Sequence, residues 1–230
     1  MKILLFSIIL FLIFNFGSTA DVFDYYHFKM MWPLSDCVNA PNCSVPDWYK
    51  TFSIHTFVPR TDANIPVNCT PSYPFNETEI STFKTLLSIL WPDFWDFANP
   101  EDFWATNWVN HGTCALSELG TEENYFQHAL ILRAYTSAGD FLANANIVPS
   151  DSVAYSYHLI DIAVRAATGK LATIHCRGMG DKIILHEIGF CFDKQFNMFD
   201  CSQELRTQEG SDCPQNIYDS SIYYIQHLSS

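Results

Sequence analysis

The chain has 230 residues, 48% of them hydrophobic and 16% aromatic, which is enough apolar material to bury a sizeable core. Its formal charge of −13 sets it against polyanions at neutral pH and excludes the broad basic surface of a nonspecific nucleic-acid binder. Its eight cysteines are an even number, which in an exported chain favours disulfides over free thiols.

The chain opens on an export signal. Lys2 supplies the positive start, residues 3–16 are almost wholly apolar, and Ser18 and Ala20 form a small-residue cleavage site. Residues 1–20 are therefore expected to be removed, leaving 21–230 as a single domain whose net charge, without Lys2, is −14. The apolar run is too short to span a bilayer, and no later stretch approaches the roughly 20 residues a spanning helix needs. The expected product is soluble, outside the cytosol and not associated with a membrane.

Residues 23–31 read as an aromatic strand stopped at Trp32-Pro33, and 51–56 as a second strand with Phe52 and Ile54 on one face and Ser53 and His55 on the other. Pro59 and the polar stretch to Pro74 are expected to break regular structure. Ile80, Phe83, Leu87 and Leu90 recur at helical spacing within 77–90, and Trp91-Pro92 closes that element. Further helices are expected over 101–114, 122–135 and 155–168, the last ending at Gly169, followed by strands at 171–176 and 182–192. Strands and helices do not alternate regularly, which points to the α+β class, with a central antiparallel sheet flanked by helices.

All eight cysteines, 37, 43, 69, 114, 176, 191, 201 and 213, lie beyond the signal. No C-x2-C pair occurs, so four disulfides are expected and no metal. Sequons begin at Asn42, Asn68 and Asn76; Cys43 and Cys69 occupy the middle of the first two, which leaves Asn76 as the best glycan acceptor.

The segment 103–114 reads FWATNWVNHGTC, and a helix there places Trp104, Asn107, Trp108 and His111 on one face. HGTCA at 111–115, preceded by Phe103-Trp104 and Trp108, resembles the second active-site block of the ribonuclease T2 family. The first block is matched by FSIH at 52–55, and Trp32-Pro33, Asn68-Cys69 and Trp91-Pro92 support the likeness along the mature chain. Analogy with plant members of that family pairs Cys37 with Cys43, Cys69 with Cys114, Cys176 with Cys213, and Cys191 with Cys201.

The resemblance implies cofactor-free cleavage of single-stranded RNA. The ribose 2′-hydroxyl attacks phosphorus to leave a 2′,3′-cyclic phosphate, with His111 as base and His55 as acid; two imidazoles suit that exchange of protons. DNA, lacking the 2′-hydroxyl, is not a substrate. The expected protein is a monomeric endonuclease of extracellular or vacuolar destination. Acidic conditions, which protonate carboxylates and histidines, ease the approach of RNA to so acidic a chain.

Two departures from the family pattern bear on rate. Where the family's second block reads HEWxKHGTC, this chain carries Thr106, Asn107, Trp108, Val109 and Asn110 before His111, so the auxiliary histidine, glutamate and lysine that hold the phosphate are replaced. Where the first block reads HGLWPD, this chain has His55, Thr56, Phe57, Val58, Pro59 and Arg60. Losing a phosphate-binding cation costs on the order of a hundredfold in rate.

Candidate substrate-binding residues are accordingly Thr106, Asn107 and Asn110 on the helix, Arg60 as a replacement cation, Phe103 at a position the family associates with the second base, His27 on the first strand, and Trp108, for which, as for Trp104, core is the commoner fate of an aromatic at helical spacing. His128, His158, His186 and His227 read as surface or hydrogen-bonded core residues, and His175, beside Cys176, as structural. The rival functions are a secreted pseudoenzyme that binds RNA, glycan or protein without cutting, and a disulfide-hardened storage or defence glycoprotein.

Overall fold

A computed structural model describes residues 23–70, 72–208, 212–214 and 218–228, so the expected leader and its cleavage site lie outside the described residues. Seven strands among them are β1 (Tyr25–Met31), β2 (Ser53–Arg60), β3 (Ala154–Ser156), β4 (Thr173–Met179), β5 (Lys182–Phe192), β6 (Met198–Phe199) and β7 (Ser220–Tyr223). They form one sheet ordered β2-β1-β5-β7-β3, with β4 and β6 also paired to β5. Pairings are antiparallel except that of β5 with β7, so the expected antiparallel sheet is in fact mixed.

The helices are α1 (Pro33–Asp36), α2 (Lys84–Leu90), α3 (Glu101–Asn110), α4 (Leu116–Leu119), α5 (Glu122–Tyr135), α6 (Ala138–Asn144), α7 (Tyr157–Thr168) and α8 (Gln203–Gln208). Their ends follow local chemistry. Thr121 caps α5 by accepting from the Asn124 amide, Ser156 caps α7 by accepting from that of Leu159, and Gly169 takes the left-handed φ of 71° that closes α7. The expected helix over 77–90 divides into a 3-10 turn, Glu77–Ile80, and α2. None of these helices is long and apolar enough to cross a membrane.

Two sequence expectations change for stated reasons. Strand β2 runs through Pro59 instead of stopping before it, because β2 is an edge strand and only one side of its backbone is paired. The helix expected to reach Cys114 ends at Asn110, and a 3-10 turn, Gly112–Ala115, follows. Gly112 fits there because its α-carbon lies against Trp108: a β-carbon would stand 2.2 Å from that indole.

The core lies between the sheet and the helices and is dominated by Trp32, Trp91, Trp104, Trp108, Tyr125 and a set of phenylalanines, all below 2% exposure. The disulfides are Cys37–Cys43, Cys69–Cys114, Cys176–Cys213 and Cys191–Cys201, the pairing that the resemblance implied.

Candidate active site

His55 owes its position to an irregularity in β2. The β1–β2 register steps from Met30 opposite Ile54 to Lys29 opposite Thr56, so His55 is the extra residue of a bulge, turned out of the ladder. A second bulge lies in the β4–β5 pair, where His175 faces Glu187 and Cys176 faces Leu185, leaving His186 as the extra residue. Bulges re-aim side chains, and here each presents a histidine to the same surface.

His111 comes to that surface from the opposite side of the chain. It ends α3 and begins the following 3-10 turn, with its amide bonded to the Asn107 carbonyl at 2.9 Å. Three buried indoles fasten this region through carbonyl acceptors. Trp104 Nε1 donates to Trp91 O at 2.7 Å, Trp91 Nε1 to His55 O at 3.1 Å, and Trp108 Nε1 to Tyr73 O at 3.0 Å. The first two links run from α3 to the backbone of His55 itself. The Cys69–Cys114 disulfide and an Asn68 N to Asn110 O bond of 3.1 Å hold the other side of the turn.

Glu187 organises the space between these elements. Its carboxylate accepts from His55 Nδ1 through Oε1 and from His175 Nδ1 at 2.9 Å through Oε2, and Lys29 Nζ lies 3.3 Å from Oε2. The charge of His55 and the hydrogen bonds from His175 and His55 outweigh burial and hold its carboxyl well below the usual range, so it is ionised. A carboxylate only accepts, hence His55 carries its hydrogen on Nδ1 and leaves Nε2 for chemistry. His186 stands 4.0 Å from the same carboxylate and is held by Ser35 Oγ at 2.9 Å.

The setting of His111 is the reverse. Its Nδ1 is buried without a hydrogen-bond partner among the described residues, and burial, then the charges of Lys29 and His55, lower its pKa to about 4. It is therefore a neutral proton acceptor at any pH above that value. One imidazole is bound to a carboxylate and the other faces a cation, an asymmetry that suits a donor and an acceptor of protons respectively.

Of the expected substrate contacts, Phe103 lines a cleft of about 290 Å³ with His55, Met31, Asp36, Pro92, Asp93, Phe94 and Trp95. Thr106 is exposed, with its hydroxyl donating to Asp102 O at 2.8 Å, and Asn110 is half-buried. Four expectations are corrected. His27 is 1% exposed, its Nε2 3.0 Å from Thr173 Oγ1, and it fills the space over Gly189. Trp108 is core. Asn107 is buried, and its amide donates back to Phe103 O at 3.0 Å, as the period of its own helix dictates.

Arg60 is the fourth. It lies at the far end of β2 opposite Tyr25, buried, with Nε donating to Thr61 O at 3.1 Å. Strand rise puts it about 13 Å from the bulge. Sequence reasoning missed Lys29 and Glu187, whose nearness to His55 is a matter of strand register. The alternation of β1 and β5 could place them on one face but not beside one another. His27 also approaches Cys191 and Cys201, but those sulfurs form a disulfide and are not available as metal ligands.

Comparison with known proteins agrees with this geometry. Residues 23–201 match the model of the Ribonuclease T2 family. Ribonuclease 1 of Arabidopsis thaliana is 33% identical over 208 residues, covering 84% of this chain and 89% of its own. Ribonuclease Oy of Magallana gigas is 30% identical over 188 residues, covering 79% and 88%. Among solved structures, RNase NT in complex with 5′-AMP superposes with a TM-score of 0.73 at 26% identity over 88% of this chain and 98% of its own. Ribonuclease MC1 from the seeds of bitter gourd gives 0.72 at 28% identity over 78% and 95%. With the family model matched over residues 23–201, relatives at 30% identity or more and the four disulfides in place, this chain belongs to the ribonuclease T2 family.

Proposed function

We propose that this protein is an exported endoribonuclease that cleaves single-stranded RNA through a 2′,3′-cyclic phosphate, with His111 as base and His55 as acid. The observation that carries the reading is the opposite settings of the two histidines, one neutral and uncharged by burial, the other hydrogen-bonded to an ionised carboxylate. His111 takes the 2′-hydroxyl proton, the 2′-oxygen bonds to phosphorus, the bond to the 5′-oxygen breaks, and His55 gives that oxygen a proton from Nε2. The adjoining cleft is aromatic at Phe94, Trp95 and Phe103 and suits a stacked base.

RNA is the substrate in this reading, and the protein works as a monomer without cofactor. The asparagines of the three sequons, Asn42, Asn68 and Asn76, are exposed, which supports a glycosylated, extracellular or vacuolar product. Incubation of purified protein with RNA at about pH 5 and pH 7 should yield 2′,3′-cyclic phosphate ends, and His111→Ala should abolish them. RNA bound but uncut at both pH values would replace this reading with that of a binding protein.

A further inference from the structure

The helix that carries His111 offers no cation to the reaction. Thr106, Asn107 and Asn110 are neutral, and Asn107 is tied to its own backbone. Arg60 lies at the far end of β2. A phosphodiester in attack gathers negative charge on its non-bridging oxygens, and charge stabilisation of that kind is commonly the largest contribution to rate. Among the described residues, a cation does stand on the carboxylate that holds His55, and it comes from the sheet.

Lys29 sits at the bulge, opposite Thr56 on β2 and Gly189 on β5, on the face shared with Glu187. Its Nζ lies 3.3 Å from Glu187 Oε2, on the carboxylate that holds His55. Its side chain is 18% exposed, shielded but open to a ligand. Of the charges acting on His111, that of Lys29 is the greatest, ahead of His55. The ammonium thus shares a carboxylate with His55, and its charge is felt at His111.

We propose that Lys29 is a catalytic residue that donates to a non-bridging oxygen of the scissile phosphate, supplying from the first strand the cation that the helix lacks. This rests on the ribonuclease reading above. An ammonium has three donors and can serve an incoming phosphate oxygen together with the partners it already has. Glu187 balances Lys29 in the free protein, and protonation of His55 adds a positive charge beside them, opposed by Asp36 and Asp93 in the adjoining cleft. Because Glu187 already fixes Nζ, charge development in the transition state is met by a dipole that needs no rearrangement.

The test measures kcat and KM on a dinucleoside monophosphate for wild type, Lys29→Met, Lys29→Arg, Glu187→Gln and the Lys29→Met/Glu187→Gln double variant, with thermal unfolding of each. Lys29→Met should lose about a hundredfold in kcat with little change in KM, and Lys29→Arg should recover most of it. The loss should persist in the Glu187→Gln background, because a lysine acting only through Glu187 would cost nothing further there. The acid limb of kcat/KM should also move to higher pH in Lys29→Met, as the charge that disfavours protonated His111 is gone. Should Lys29→Met not fold, Lys29→Gln carries the same expectations.

A Lys29→Met or Lys29→Gln protein with kcat within threefold of wild type overturns the role of Lys29 alone. So does a loss that vanishes in the Glu187→Gln background. A folded wild type that forms no cyclic phosphate ends overturns the ribonuclease reading and this role with it.

Discussion

Replacing Glu187 by Gln tests the organisation of the site, because it keeps the shape of the side chain and removes its charge. The carboxylate is 4% exposed and serves three donors: His55 Nδ1, His175 Nδ1 at 2.9 Å and Lys29 Nζ at 3.3 Å. A glutamine has one acceptor oxygen, so it can satisfy one imidazole, while its NH2 meets the hydrogen of the other. Hydrogen bonds to charged groups are worth about 1.5–3 kcal/mol each, and partial rescue by the amide leaves a net loss of about 2–3 kcal/mol. For a domain of this size that lowers Tm by roughly 4–12 °C. His55 is no longer held with its Nε2 toward the leaving oxygen, and loss of such an orienting partner costs on the order of a hundredfold in rate. The assay compares kcat/KM on RNA with that on a ribonucleoside 3′-nitrophenyl phosphate, whose leaving group departs without a proton. The defect should be clearly larger on RNA than on the ester, which keeps only the part that comes from Lys29 losing its hold. Equal losses on both substrates would refute the assignment of Glu187 as the residue that positions the acid, and unchanged RNA cleavage would refute its importance altogether.

Other consequences can be measured separately. The acid limb of the kcat/KM profile should fall near pH 4, because burial and the charges of Lys29 and His55 lower His111 to about that value and the base is lost only when it protonates; a limb near pH 6.5 would contradict it. Replacing Cys69 and Cys114 by Ala releases a separation of 45 residues and should cost about 4 kcal/mol on loop-entropy grounds, against about 3 kcal/mol for the 10-residue separation of Cys191 and Cys201, as read by denaturant unfolding. The first pair should also depress activity, since it anchors the turn after His111. Gly189→Ala would place a β-carbon 2.3 Å from His27 Nε2 and 2.4 Å from Thr173 Oγ1, so a loss of about 1–3 kcal/mol is expected, and truncating His27 in the same chain should relieve part of it.

The sequence by itself determined the class of the fold, which is written in short-range pattern, while its resemblance to the family supplied the disulfide pairing and the two candidate histidines. Alternation put His55 opposite Phe52 and Ile54, and the helix over 122–135 has the same bounds in the structure, where a threonine cap and acidic first turn start it. The resemblance at FSIH and HGTCA joined those histidines to a known chemistry. Helical spacing was a poorer guide to the substrate face of α3: Trp108 and Asn107 share the stripe with His111 but turn into the core, since indoles gain more from burial than from facing water.

Tertiary structure decided the rest of the site. Pro59 lies in a strand because β2 is an edge, and edge position is a property of the sheet. His55 and Glu187 are 132 residues apart, and only the pairing of β1 with β5, and two one-residue bulges, bring that carboxylate and Lys29 under the histidine. A shift of one residue in either register would send Lys29 or Glu187 to the other face, because successive side chains alternate. The cation on the carboxylate that holds His55 therefore follows from strand register and not from nearness in the chain, which is why Arg60, close in sequence to His55, stands at the far end of β2 and Lys29 at the bulge.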